Sequence, residues 1–161
     1  MKEIINNLFI GNDADCLNIR NDDNYAIIHA CKTCHQKGVG YRGNLSSNHP
    51  HYLILKHNNH LYLNMVDMDR ELMAKFTHPI MKSALNFIKM HIEDKKVLIH
   101  CNQGQSRSPA ISLAYLAQNG FIKNSTYLKA KEEFLELYPS YFPGKGIELY
   151  LNNNWEWVLK L

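Results

Sequence analysis

Cys101 and Arg107, with five residues between them, are the two side chains whose types and spacing could do chemistry together. A thiolate is a nucleophile, and a guanidinium is a planar fork that takes two oxygens of a phosphate or sulfate at once. The intervening Asn102-Gln103-Gly104-Gln105-Ser106 is small or neutral and polar. Such a pair suits attack on the central atom of a tetrahedral oxyanion.

The neighbouring sequence supplies the elements that must position them. Val97-Leu98-Ile99 follows Lys95-Lys96 as a short apolar run, which predicts a buried strand ending at His100 and Cys101. Gly104 relaxes the backbone in the middle of the loop. Ser108-Pro109 opens a helix, since proline's missing N–H would have no partner in a first turn, and the mostly apolar Ala110 to Ala117 continues it toward a stop at Gly120. Strand, loop and helix N-terminus together aim backbone N–H groups and the positive helix end at one point, which should hold an anion. Cys101 lies at the lip of that cup, where the same fields favour a thiolate.

The pattern His-Cys-x-x-Gly-x-x-Arg-Ser, here His100, Cys101, Gly104, Arg107 and Ser108, resembles the signature of the cysteine-dependent protein tyrosine phosphatases, in particular the small, atypical dual-specificity branch. The opening Ile4-Ile5-Asn6-Asn7-Leu8-Phe9-Ile10-Gly11 is similar to that branch too. The resemblance implies an α/β fold with a central, mostly parallel sheet flanked by helices, a single catalytic domain over residues 1–161, and a two-step reaction with neither cofactor nor metal. Cys101 would attack phosphorus while Asn102, Gln103, Gly104, Gln105, Ser106 and Arg107 hold the phosphate oxygens. Ser108 would hydrogen-bond the departing thiolate, and His100 would orient the loop.

The departing oxygen needs a proton. In the family an aspartate upstream of the cysteine supplies it, and Asp67 and Asp69 both fall in that window. Aligning Tyr62-Leu63-Asn64-Met65-Val66-Asp67-Met68-Asp69 with the family's Y-L-N-I-P-x-x-D pattern selects Asp69. Helix capping ahead of Glu71 to Phe76 is the bland alternative for either one. The neutral Asn102, Gln103 and Gln105 lack the lysines of relatives acting on inositol lipids, so the expected substrate is protein phosphotyrosine, with or without phosphoserine and phosphothreonine. RNA 5′-phosphates are the minor alternative. Two readings from other classes are a sulfur-transfer or arsenate-reducing enzyme and a non-catalytic phosphate-binding module.

Bulk properties bound these readings. A chain of 161 residues with 45% apolar and 20% charged residues suits one domain with its own core. A net charge of +3 is too mild to argue nucleic-acid binding. No apolar run reaches membrane-spanning length and Met1 to Asn7 is no signal peptide, so a cytoplasmic protein is expected, and its four cysteines suit a reducing compartment. Oligomeric state is not legible.

Along the chain, Glu3 to Gly11 predicts one strand or two short ones, Asp13 to Leu17 a short helix capped by Asp13, and Tyr25 to Cys31 a strand. Cys31-Lys32-Thr33-Cys34-His35 spells a haem-attachment or partial zinc motif, the latter with His29. Haem attachment goes with export and structural zinc wants a second ligand pair, so a strand end and loop with two free thiols is expected. No Asp or Glu occurs from Asn24 to Val66, whereas Lys32, Lys37, Arg42 and Lys56 do, with six of the nine histidines. With Gly38, Gly40 and Gly43 this reads as a long electropositive loop beside the cup. Tyr52 to Lys56 and Leu61 to Met65 predict a hairpin, Thr77-His78-Pro79 a helix start, Asn124-Ser125-Thr126 another, Tyr141 to Gly146 a loop, and Ile147 to Val158 one last helix.

Overall fold

Four parallel strands stand side by side at the centre of the molecule, and three of them end level with one another. The computed structural model describes residues 1–161. Six strands, β1 (Lys2–Ile5), β2 (Leu8–Gly11), β3 (Tyr25–His29), β4 (Ile54–His57), β5 (His60–Leu63) and β6 (Lys96–His100), form one mixed sheet in the order β1-β2-β6-β3-β5-β4. The inner pairs β2/β6, β6/β3 and β3/β5 are parallel, while the outer pairs are antiparallel hairpins. Register sets Gly11 beside His100 and His100 beside His29. Chain leaving these ends enters α1 (Asp13–Ile19), α2 (Lys32–Val39) and, after the Cys101 loop, α4 (Arg107–Gln118). Such a row of strand ends facing helix N-termini is where open α/β sheets place their sites.

Strand alternation divides the core. Val97 and Ile99 of β6 join Ala26 and Ile28 in the large cluster with α3 (Ala74–His91), α4, α5 (Tyr127–Leu137), α6 (Lys145–Asn153) and α7 (Trp155–Leu159). Leu98 points to the other face and packs with Ile27, Tyr25 and Cys16 of α1. The central strand is thus dry on both sides, which fixes the height at which it delivers Cys101.

Several boundaries differ from expectation for local reasons. The start is two strands, with Asn7 at φ 65 turning between them. Asn12, not Asp13, caps α1, in a reciprocal capping box with Asp15. Lys32–Val39 is helix where a loop was expected: Gly38 lets α2 lie flat on the Tyr62 ring, 3.0 Å from where a Cβ would stand, and Gly40 at φ 92 ends the helix. Helix α3 starts at Ala74, with Pro79 inside it. The last helical stretch breaks in two at Asn154, whose φ of −118 and ψ of 21 leave the helical region and whose side chain donates to Tyr150 O at 2.9 Å. The β4/β5 hairpin, Thr126 as the α5 cap, and Gly120 at φ 74 beyond α4 agree with the sequence reading.

Candidate active site

Cys101 leaves β6 with only 2% of its surface exposed and forms part of the lining of a cavity of about 370 Å³. Asn102, Gln105, Arg107, Asp67, Phe142 and Gly144 are among its other walls. The fully buried Ser108 hydroxyl stands 3.2 Å from Cys101 Sγ.

The carbonyls of the loop are used inside the protein. Asn102 O accepts from Asp13 N–H, Gly104 O from the Tyr138 hydroxyl at 2.8 Å, Gln105 O from Phe142 N–H and Ser106 O from Ala110 N–H. By contrast, the backbone N–H groups of Asn102 through Arg107 donate to no protein acceptor. Backbone donors near a cavity need a partner, and six successive ones at a helix N-terminus suit an oxyanion. Gly104 makes the curve possible: its φ is +72, and a Cβ there would lie 2.9 Å from Gly11 O.

Arg107 is 8% exposed and held on three sides. Nη1 donates to Met65 O at 3.1 Å, Nη2 donates to Asn102 Oδ1 at 2.7 Å, and Nε lies 3.1 Å from Asp67 Oδ2 in an ion pair off the N–H direction. The Nε/Nη2 edge, the fork that would grip two phosphate oxygens, faces oxygens of Asp67 and Asn102 in this state.

Of the two candidate acids, the structure brings Asp67 to the cup and leaves Asp69 outside it. Asp67 also accepts from the Ser106 hydroxyl at 2.7 Å. Asp69 is exposed on the same loop, does not line the cavity, and makes neither ion pair nor side-chain hydrogen bond. Two backbone bonds to α6 hold this loop, from Gly146 N–H to Met68 O at 2.8 Å and from Leu72 N–H to Gly146 O at 3.2 Å.

His100 lies behind the loop, fully buried. Its Nδ1 is 3.4 Å from Asp13 Oδ1 and its Nε2 is 2.7 Å from His29 Nδ1. Burial lowers the pKa of His100 despite the opposing pull of Asp13, and burial together with the neighbouring His100 and His60 pushes His29 down to about 2. Both rings are therefore neutral at physiological pH.

One wall was not singled out in the sequence reading. Phe142 N–H donates to Gln105 O and Gly144 N–H donates to Ser106 Oγ, both at 2.8 Å, so the segment before α6 closes the cup. Phe142 is 79% exposed at the rim. The signal available was Pro143-Gly144-Lys145-Gly146 beside an aromatic; in the fold a Cβ at Gly146 would stand 2.5 Å from Arg70 O and 2.8 Å from Met68 O, so no side chain fits. The acid-free segment sits differently from expectation: none of Lys32, Lys37, Arg42 and Lys56 lines the cup, because α2 packs against β4 and β5 behind it. Lys37 lines a separate cavity.

Among solved structures, a leucine rich repeat and phosphatase domain containing protein from Entamoeba histolytica is similar with a TM-score of 0.65 and 19% identity, over 98% of this chain and 92% of that one. The human tyrosine phosphatase-like serine/threonine/tyrosine-interacting protein gives 0.61 and 21%, over 100% and 98%. PTPMT1 in complex with PI(5)P gives 0.61 and 15%, over 99% and 96%. These likenesses establish the fold. Among curated proteins none matches. Residues 24–133, more than half of the chain, match the family model for the dual specificity phosphatase catalytic domain, and they hold the Cys101 loop, Arg107 and both loop aspartates. The chain belongs to the dual specificity phosphatase family.

Proposed function

We propose that residues 1–161 act as one catalytic domain that removes phosphate from phosphotyrosine in proteins, with or without phosphoserine and phosphothreonine, through a cysteinyl phosphate. The observation that carries this reading is the run of six N–H groups without protein acceptors beside the Cys101 thiol and the Arg107 fork.

Cys101 Sγ attacks phosphorus in line. The Asn102 to Arg107 amides and the guanidinium hold the three non-bridging oxygens, where negative charge is concentrated in the transition state. The phosphate dianion takes the Arg107 edge now facing Asp67 and Asn102. Both Asp67 oxygens have partners in Arg107 and Ser106. The proton for the departing oxygen is assigned to Asp69, the position that the family's Y-L-N-I-P-x-x-D pattern selects, with Asp67 as the alternative donor. The ester oxygen leaves as the alcohol. Water, giving a proton to the same aspartate, then attacks phosphorus, and the thiolate leaves with the Ser108 hydroxyl donating to it.

Phosphotyrosine is favoured because Asn102, Gln103 and Gln105 present no cation to a polyphosphorylated headgroup and Phe142 offers an aromatic face at the rim. The test is hydrolysis of phosphotyrosyl and phosphothreonyl peptides, phosphoinositides and 5′-phosphorylated RNA by the wild type beside Cys101→Ser. Vanadate-sensitive turnover highest on phosphotyrosyl peptide, absent in Cys101→Ser, is expected. Turnover highest on lipid or RNA overturns the substrate, and no turnover on any of them overturns the enzyme.

A further inference from the structure

On the sheet face opposite the main core, three βα units bring together thiols and imidazoles that take no part in bond making at phosphorus. Cys16 comes from α1, His29 from the end of β3, Cys34 from α2 and His100 from the end of β6, and these four line one cavity of about 480 Å³. Two overlapping sets of donor atoms, Cys16/His29/His100 and Cys31/Cys34/His100, each lie within 4.8 Å of one another. His100 is common to both.

The orientation of the rings is the more informative observation. His29 Nδ1 and His100 Nε2 point at each other 2.7 Å apart, with Cys16 Sγ 3.8 Å from the former. Each ring's outer nitrogen faces a further polar group: His29 Nε2 is 2.9 Å from His60 Nδ1, and His100 Nδ1 is 3.4 Å from Asp13 Oδ1. Inner nitrogens converging on one point, with outer nitrogens backed by a carboxylate or another ring, is the arrangement that orients histidines toward a metal. Cys34 lies three residues beyond Cys31 with its sulfur within 4.8 Å of it, and the interaction of the two thiols lowers the pKa of Cys31 and raises that of Cys34.

We propose that Cys16, His29 and His100, with Cys34 swinging in from the wall of the same cavity as fourth ligand, form a binding site for one thiophilic divalent cation, with zinc the ion whose four-coordinate nitrogen and sulfur preference fits best. On binding, the hydrogen between the two neutral imidazoles moves to the outer nitrogen of its own ring, facing His60 or Asp13, and the two thiol protons pass to solvent, so that two imidazole nitrogens and two thiolates take the cation. With zinc–nitrogen bonds of about 2.0–2.1 Å, the two ring nitrogens need to stand about 3.3 Å apart, an opening of roughly half an ångström from their present contact. Asp13 and His60 hold the rings from outside, and the Cys31 sulfur stands within 4.8 Å of Cys34. Because His100 precedes Cys101, a bound ion would brace the root of the phosphate loop from behind. The site stands on its own donors and does not depend on the phosphatase reading.

The test uses the full chain. Elemental analysis of protein grown with zinc should find about one zinc per chain, and titration of metal-free protein with Co²⁺ should give thiolate-to-cobalt charge-transfer bands with the intense visible bands of tetrahedral cobalt, saturating near one equivalent. Cys16→Ser/Cys34→Ser should fall below about a tenth of an equivalent and lose the bands. Wild-type protein that takes up neither ion overturns the proposal, whether or not the variant folds. A folded double variant that keeps the full equivalent overturns it as well, by placing the ion elsewhere.

Discussion

The Asp67 carboxylate lies 3.1 Å from Nε of Arg107, on the edge of the guanidinium that a phosphate group would occupy. Substrate and Asp67 therefore compete for one fork. Because the Asp67 side chain is 41% exposed, the ion pair is screened and its loss is a modest effect. Asp67→Asn should lower KM for phosphotyrosyl peptide by about two- to five-fold with little change in kcat. Asp69→Asn should instead lower kcat by about 100-fold on substrates with poor leaving groups and by only a few-fold on an activated aryl phosphate. Steady-state kinetics over a leaving-group series separates the two. If Asp67→Asn shows the leaving-group dependence, the proton comes from Asp67.

Ser108 Oγ, 3.2 Å from Cys101 Sγ, is placed to stabilise the thiolate as it departs. Ser108→Ala should slow breakdown of the cysteinyl phosphate by roughly 10- to 100-fold, the worth of a hydrogen bond to a charged group. Its formation should be much less affected. Rapid-quench assays should then show a burst of product followed by a slow steady rate. Equal slowing of both steps would assign Ser108 to shaping the loop instead.

Gly104 tests the backbone. An alanine there is held at φ +72, and its Cβ is directed at Gly11 O, 2.9 Å away. The left-handed conformation alone costs about 1–2 kcal/mol. A fall in melting temperature of about 2–8 °C is expected for a chain of this size. Activity should fall further than stability does, since the loop N–H groups turn with the backbone. A Gly104→Ala protein with wild-type kcat/KM would show that the amide directions are not what the reaction uses.

Away from the cup, His78 stacks on Trp157 with ring centroids 3.3 Å apart, and its Nδ1 is 2.7 Å from the Tyr150 hydroxyl. Burial lowers its pKa from the ordinary 6.5. A histidine depressed in the folded state contributes stability that is complete above 6.5 and is lost as pH falls through the lower folded value, because the unfolded chain takes the proton first. Nuclear magnetic resonance titration should show His78 protonating below 6.5, and His78→Gln should flatten the pH dependence of stability below that point. Titration of His78 at or above 6.5 would contradict the burial argument.

What the chain alone determined was local. Val97 to Ile99, the neutral loop, Gly104 and Ser108-Pro109 specify strand, turn and helix start within a few residues of one another, so the cup and its two reactive side chains follow from neighbouring chemistry. The β4/β5 hairpin and the Thr126 cap were legible for the same reason. Tertiary structure decided everything that depends on chain segments meeting. Which aspartate faces the cup turns on the loop's bonds to Gly146, far along the sequence, and the Phe142–Gly144 segment becomes a wall only by bonding to Gln105 and Ser106. The Cys31-x-x-Cys34 motif lacked a second ligand pair when read along the chain. Parallel strands ending level with one another supply Cys16, His29 and His100 from three other elements, because register in a sheet sets distances that sequence spacing does not contain.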